Sequence, residues 1–438
     1  MSKLALLGGR PVRIKPFPDY NTIGREEKQA VMKVLDSGVL SDFVGSFGDK
    51  FLGGIQVQTL EREWCEYFDV KYAIAVNSAT SGLFAAFGAI GIGPGDEVIV
   101  PAVSMSASIT GVLVYNAIPV FADIEKDLFC IDPESVSQRI TSRTKAIEAV
   151  NLAGQPAALK ELTAIARKYN LKVIEDNAQS PGALYNKRYA GTIGDIGVFS
   201  LNCHKTIQSG EGGMVVTNDL ELAERVRLIR NHAEAVLSGM PKVPTDISNM
   251  LGWNYRMTEI EAVISQEQLK KLSRLNEERV ERVNYLNQKL TKIKGISAPK
   301  VRAGCTHVYY VQVLHFDEDF YGVDNRTFVK AVQAEGIAPN MLWGGWIMPL
   351  YLQPLYQKKI VYGQKGCPFN CAHYDGKVDY SKGICPTAEN LYEHGLIVNR
   401  LIYPPLSRHD LDDIVRIFEK VAENVKDLRE KVGVESGA

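Results

Sequence analysis

From about residue 57 the apolar positions of the chain alternate between two periods. "VQTLEREWCEYF" sets them at helical spacing, whereas "KYAIAVNS" gathers them into one short run that ends in turn-forming residues. The change then repeats. "ATSGLFAAFGAIG" predicts a helix that stops near Gly91 and Gly93, and "GDEVIVPA" predicts the strand after it. "IPVFADI", "KAIEAVNLAG", "LKELTAIARKYN" and "LKVIEDNA" continue the alternation. Runs such as "EVIV" and "KVIE" are apolar on successive residues, as in strands covered on both faces. The pattern predicts an α/β fold with a mostly parallel, doubly wound large domain. Its ligand is expected in the loops at the carboxyl ends of the strands.

From about residue 259 the chain turns helical and charged ("TEIEAVISQEQLKKLSRLNEERVERVNYLNQKLTKI"), which reads as one long helix leading out of that domain. "THVYYVQVLHF" reads as a strand, "DNRTFVKAVQAEGI" as a helix, and about residues 409–431 as the last helix, a smaller α+β C-terminal domain. The expected division is an N-terminal segment 1–54, a large domain 55–275 and a small domain 276–438. Residues 340–390 are irregular and rich in aromatics, Pro and Gly, the composition of a loop that covers a substrate.

Composition narrows the partners. The 50 basic and 51 acidic residues nearly cancel, so a nucleic acid or a membrane surface gains no electrostatic support. The apolar run Leu4 to Leu7 is too short for a signal-peptide core, and no stretch approaches the ~20 apolar residues of a membrane span. A cytoplasmic protein is expected. The seven cysteines are scattered and odd in number, which suits free thiols. Cys367, Cys371, His373 and Cys385 are zinc-ligand types, but their spacing is loose and no second pair follows, so no metal site is expected.

The candidate chemistry lies at the predicted strand ends. Ser78, Ala79 and Thr80 open a helix, where N–H groups and the helix dipole favour a phosphate; an ordinary N-cap reads the same way. Asp176 and Gln179 follow the strand "KVIE"; the Asp alone also fits a magnesium site or a turn. Lys205 stands in "SLNCHKTIQSGEGG", five residues after Ser200 and between two apolar runs. Withdrawn from water, its amine is a usable nucleophile towards a carbonyl, and on a loop it simply snorkels to solvent. Together, a phosphate site, an aspartate and a Schiff-base lysine are what pyridoxal 5′-phosphate needs. The chain lacks the Gly-x4-Gly-Lys-Ser/Thr of a P-loop and, after the first strand, the Gly-x-Gly-x-x-Gly of a dinucleotide fold.

"NSATSGL", "GIGPGDEVIVPA", "GQPAAL", "VIEDNAQS", "SLNCHKTIQSGEGGMVVTND" and "NYRMTEIEA" resemble the DegT/DnrJ/EryC1/StrS family of sugar aminotransferases, as do "LALLGGRPV" and "CPTAENL". The resemblance implies fold type I and pyridoxal phosphate. It makes Lys205 the lysine on the cofactor aldehyde, Asp176 the partner of the pyridine nitrogen, and Gln179 a neighbour of the ring hydroxyl. Ala79, Thr80 and Ser200 are implied at the phosphate, with Asn254 sent there from a neighbouring subunit of a homodimer with shared active sites. Met105 stands where the family usually carries an aromatic residue over the ring; core packing is the other reading of it. A related branch that removes a hydroxyl carries His at the lysine position, so Lys205 implies amino transfer, and His204 is read as shaping the loop.

The expected reaction is ping-pong, from glutamate or glutamine to the carbonyl of a keto-sugar, nucleotide-linked or a sugar acid, feeding polysaccharide or other sugar biosynthesis. The alternatives are a cyclitol (scyllo-inosose-type) aminotransferase, an aminohydroxybenzoate-synthase-like enzyme, and a pyridoxal phosphate-binding regulator without turnover.

Overall fold

A computed structural model describes residues 3–436. The apolar runs become β1 (Tyr72–Val76), β2 (Glu97–Pro101), β3 (Ile118–Ala122), β4 (Thr144–Val150) and β5 (Lys172–Asp176). A small hairpin, β6 (Leu184–Tyr185) and β7 (Arg188–Tyr189), precedes β8 (Ile196–Ser200) and β9 (Gly213–Thr217). Seven of these form one sheet in the order β1-β9-β8-β5-β4-β2-β3. All of its pairings are parallel except those of β9 with β1 and β8, so β9 alone runs against the rest. The carboxyl ends of the other six therefore share one edge.

Both faces of the sheet are covered, as the unbroken apolar runs require. On one face Ile74, Val76, Val98, Val100, Val198 and Val215 join the largest core, with helices Ala79–Ala89 and Ala107–Val114. Helix Ala79–Ala89 sits close enough that a Cβ on Gly82 would reach 3.0 Å from Val198 and Val215. On the other face Ala73, Ala75, Phe199 and Met214 pack with Trp64 and Phe68 of helix Ile55–Phe68.

The expected long helix is two, Glu259–Leu269 and Leu272–Leu290. The last helix also divides, into Arg408–Glu423 and Val425–Ser436. A second sheet, β10 (Ile296–Ser297), β11 (Gln312–Phe316), β12 (Leu342–Gly344) and β13 (Leu396–Asn399), runs in the order β10-β11-β13-β12, all antiparallel, on its own core. The start of "THVYYVQVLHF" is not strand. The N–H groups of Val308 and Tyr310 instead reach Gly154 O and Ala153 O, just past β4, both at 2.8 Å, and Tyr309 takes a left-handed conformation. No described helix is long and apolar enough to cross a membrane.

Most of the aromatic segment does not overhang a cleft. Tyr351, Tyr356 and Tyr380 pack on Phe121 of β3, and the Tyr380 hydroxyl donates to Pro119 O at 2.7 Å. Since β3 ends the sheet, residues 350–391 cover an edge strand that would otherwise offer a pairing surface. Within this segment Cys367 and Cys371 form a disulfide, in contrast to the expected free thiols, and Cys385 is buried near Phe121 O. Buried Asp123, just past β3, fastens the segment by accepting the N–H groups of Thr387 and Ala388, both at 2.9 Å. Asp123→Ala is expected to lower the unfolding free energy by about 0.5–2 kcal/mol in urea titration, the range for losing a helix cap.

Candidate active site

The topology brings the chosen positions to one edge. β1 leads through Asn77 and Ser78 into helix Ala79–Ala89, and the Ser78 hydroxyl caps Ser81 N at 3.0 Å. The Gly82 N–H is taken by Ser78 O, which leaves the first-turn N–H groups of Ala79 and Thr80 with no partner inside the helix. The register sets Val76 opposite Gly213 and Gly213 opposite Ser200. A Cβ on Gly213 would stand 2.6 Å from Ala79 N, so only glycine lets the helix start approach this row. The helix start, with the N–H groups of Ala79 and Thr80, and the buried Ser200 thus flank Gly213 on either side, and such donors suit an anion.

Asp176 closes β5 and is buried. One carboxylate oxygen accepts the Ser108 hydroxyl at 2.8 Å, and the other accepts Ala178 N–H at 3.0 Å. Ser104 in turn contacts Ser108 at 2.8 Å. A buried carboxylate held by two donors is fixed in orientation, a partner that a cationic ring nitrogen would suit. Gln179 is buried three residues on; its side-chain oxygen accepts Ala153 N–H at 2.9 Å, so the amide NH2 is the end left for a ligand.

Lys205 is carried by the loop between β8 and β9. Bonds from Leu201 N to Gly212 O and Cys203 N to Gly210 O fold this loop on itself, and Lys205 N donates to Asn202 O, all at 2.9 Å. The Lys205 ammonium lies 4.6 Å from the ring centre of Tyr310, and the side chain is half-buried. Tyr20 ties the next residue, its hydroxyl donating to Thr206 O at 2.5 Å. His204 is exposed and its main chain donates to the Asn202 side chain, in keeping with a loop role.

Met105, past the end of β2, is 62% exposed, which excludes core packing within the chain. Asn254 is also exposed. Its carbonyl accepts the Asn77 amide at 3.3 Å, two residues before the start of helix Ala79–Ala89, and its side-chain oxygen accepts Arg256 Nε at 2.8 Å.

Ser108, Tyr310 and Tyr20 escaped the reading of the sequence. Ser108 belongs to "SMSAS", a run of small hydroxyl residues leading into a helix that carries no sign of which serine would meet Asp176. Tyr310 and Tyr20 left no local signal, because they reach Lys205 and its neighbour from distant parts of the chain.

The donor set matches pyridoxal 5′-phosphate: N–H groups and a hydroxyl for the phosphate, a buried anion for the ring nitrogen, and a free primary amine for the aldehyde. Comparison with known proteins agrees. The model of the DegT/DnrJ/EryC1/StrS aminotransferase family matches residues 21–376. The chain is 32% identical to the spore coat polysaccharide biosynthesis protein SpsC of Bacillus subtilis, over 91% of this chain and 95% of that one. It is 30% identical to L-glutamine:2-deoxy-scyllo-inosose aminotransferase of Micromonospora echinospora, over 98% and 100%. The structure superposes on an aminotransferase from Psychrobacter cryohalolentis with a TM-score of 0.79 and 29% identity, over 94% of this chain and all of that one.

Proposed function

Because the chain belongs to the DegT/DnrJ/EryC1/StrS aminotransferase family, we propose that it is a pyridoxal phosphate-dependent enzyme moving an amino group from glutamate or glutamine to the carbonyl of a keto-sugar. The observation that supports the reading is that Lys205, buried Asp176 and the helix start at Ala79 all stand at or past the carboxyl ends of strands in one sheet. When bound, the cofactor supplies an aldehyde and an electron-accepting ring. Ala79 and Thr80 N–H and Ser200 Oγ would hold the phosphate, and the Asp176 carboxylate would pair with the ring nitrogen. Lys205 Nζ is the amine that would carry the aldehyde as an imine, with loss of water, and once an amino-acid donor displaced it, the same nitrogen would serve as the base and acid that holds and moves a proton. Gln179 steadies the ring hydroxyl through its amide.

Met105 is read as packing its thioether on the ring face. Met105→Ala should weaken pyridoxal phosphate binding by about 0.3–1.5 kcal/mol, roughly two- to tenfold, with an unchanged melting temperature in the cofactor-free protein.

A homodimer completes the site in this reading. Val44, Phe47, Leu251 and Trp253 remain exposed, and the Asn231 side chain links Val44 O, at 2.9 Å, to the strand-like bridge with Asn254. An exposed apolar surface of this kind beside Asn254 favours burial against a second copy. The chain then divides into segment 1–54, cofactor domain 55–275 and C-terminal domain 276–438, with residues 350–391 returning to the first core. Localisation is read as cytoplasmic.

The likeness to the scyllo-inosose aminotransferase over nearly the whole chain favours a cyclic ketone without a nucleotide as the second reading of the acceptor. The test is spectroscopic. Protein with pyridoxal phosphate is mixed with glutamate or glutamine, and loss of the bound-cofactor band is followed with keto-acid release. The amino form is then offered keto-sugars and scyllo-inosose. An unchanged spectrum with every donor points to a regulator instead.

A further inference from the structure

Residues 3–22 run from the elements around the second sheet to the loop that carries Lys205. At the start, Leu4 is buried in the core of that sheet. Glu335 accepts the N–H groups of Ala5, at 2.8 Å, and Val12, at 3.1 Å, and pairs with Lys420 at 2.7 Å. Arg13 pairs with Asp410 and Asp413 of helix Arg408–Glu423, both at 2.8 Å. Pro18 O accepts the Tyr403 hydroxyl at 3.3 Å, and from there the segment turns to the catalytic loop. Tyr20 donates to Thr206 O at 2.5 Å. Thr22 donates to the Gln268 side-chain oxygen at 2.7 Å, the same oxygen that accepts Gln208 N–H at 3.3 Å.

Tyr20 stands where two supports of Lys205 meet. The loop is closed at its base by Leu201 N on Gly212 O and Cys203 N on Gly210 O, and Lys205 N–H turns back to Asn202 O. On the far side of Lys205, the carbonyl of the next residue is held by the Tyr20 hydroxyl. The second support is the Tyr310 ring, 4.6 Å from the Lys205 ammonium. Arg279, 3% exposed, steadies the main chain there, donating to Tyr309 O and Tyr310 O at 3.4 Å each. Its guanidinium lies 4.7 Å from the centre of the Tyr20 ring, and Tyr403 packs on the same ring at 5.1 Å. The Tyr20 hydroxyl thus bears on the loop beyond Lys205, and its ring on the arginine that steadies Tyr310.

We propose that Tyr20 is a positioning residue for Lys205: from an N-terminal segment anchored on the second sheet, it restricts the loop so that Nζ samples few positions before the cofactor arrives. The inference rests on the cofactor reading above. When Nζ adds to the aldehyde carbon and water leaves, two groups held by one protein are joined. The ease of joining follows the effective concentration of one near the other, and a loop with more conformations lowers it. The groups assigned to the phosphate and the ring nitrogen, at Ala79, Thr80, Ser200 and Asp176, come from other elements of the sheet edge. Loss of the Tyr20 bond should therefore weaken the step made by Lys205 and spare the rest of the site.

Tyr20→Phe keeps the ring on Arg279 and removes the bond to Thr206 O. Two ligands separate positioning from general support. Pyridoxine 5′-phosphate has the phosphate and the ring but an alcohol in place of the aldehyde, so its binding reads the site without Lys205. The variant should bind it as wild type does. It should bind pyridoxal 5′-phosphate about 2–12-fold more weakly, the range for one net hydrogen bond. Wild-type affinity for pyridoxal phosphate, an equal loss for both ligands, or a Tyr20→Phe protein that does not fold overturns the proposal. The second measurement is hydrogen exchange in the cofactor-free protein. Amides of residues 203–208 should exchange about 2–12-fold faster in the variant, with helix Ala79–Ala89 unchanged. Unchanged exchange in the loop also overturns it. If wild type binds neither ligand, the functional reading falls, and exchange still decides whether Tyr20 holds the loop.

Discussion

Lys205→Ala should abolish transfer, with the rate of the glutamate or glutamine half-reaction falling by at least about 10⁴-fold. General acid–base catalysis alone contributes ~10²–10⁴, and in the proposed mechanism the same amine also forms the covalent link to the aldehyde. Neighbouring His204 is exposed on the loop, and Tyr310, the ring beneath the ammonium, has no amine to offer. The fold should not notice the change. The ammonium makes no ion pair among the described residues, and the loop is held by main-chain bonds and by Tyr20 on Thr206 O. An unchanged melting temperature with lost turnover, followed by single-turnover absorbance, is the expected pair of results. A variant that turns over at the wild-type rate removes Lys205 from the chemistry.

Asp176→Ala is the second large effect. Its carboxylate is buried and already oriented by Ser108 and Ala178 N–H, so its position is set before any ligand arrives. A hydrogen bond to a charged group is worth about 1.5–3 kcal/mol, so the dissociation constant for pyridoxal phosphate should rise by roughly 10–150-fold. Turnover should fall further, by about 10²–10³, because the charge is needed most where the ring draws electrons from the reacting carbon. Asp176→Asn should keep the Ser108 contact and the melting temperature while losing the charge. Cofactor titration and saturated turnover in the two variants separate charge from shape. Wild-type affinity in Asp176→Asn would end the assignment.

Much of the molecule was legible because the relevant forces are local. Short unbroken apolar runs became strands of a sheet covered on both faces, and the alternation with helices predicted where each loop would emerge. Asp176 and Ser200 could be placed at strand ends because a polar residue closing an apolar run marks where burial stops. The loop carrying Lys205 was bracketed in the same way. The segment 340–390 was harder. Its aromatics were read as a cover for substrate, yet Tyr351, Tyr356 and Tyr380 fill the side of β3, since an edge strand needs covering and nothing in a local window tells which strand is the edge. The break at Lys270 and Lys271 was missed because the charged helical pattern continues across it.

The sequence by itself determined the element types, the α/β class, the chemical identity of the groups at the strand ends and, through its motifs, the family. The tertiary structure decided which strands are neighbours, and with that the row Val76–Gly213–Ser200 beside the helix start, the Ser108 hydroxyl on Asp176, and Tyr310 under Lys205. It also separated two glutamates that look alike in the chain, giving Glu175 four donors and Glu148 none among the described residues. The reason is one of range: propensity and periodicity act over a few residues, whereas burial and partnership depend on segments up to hundreds of residues apart that only close packing brings together.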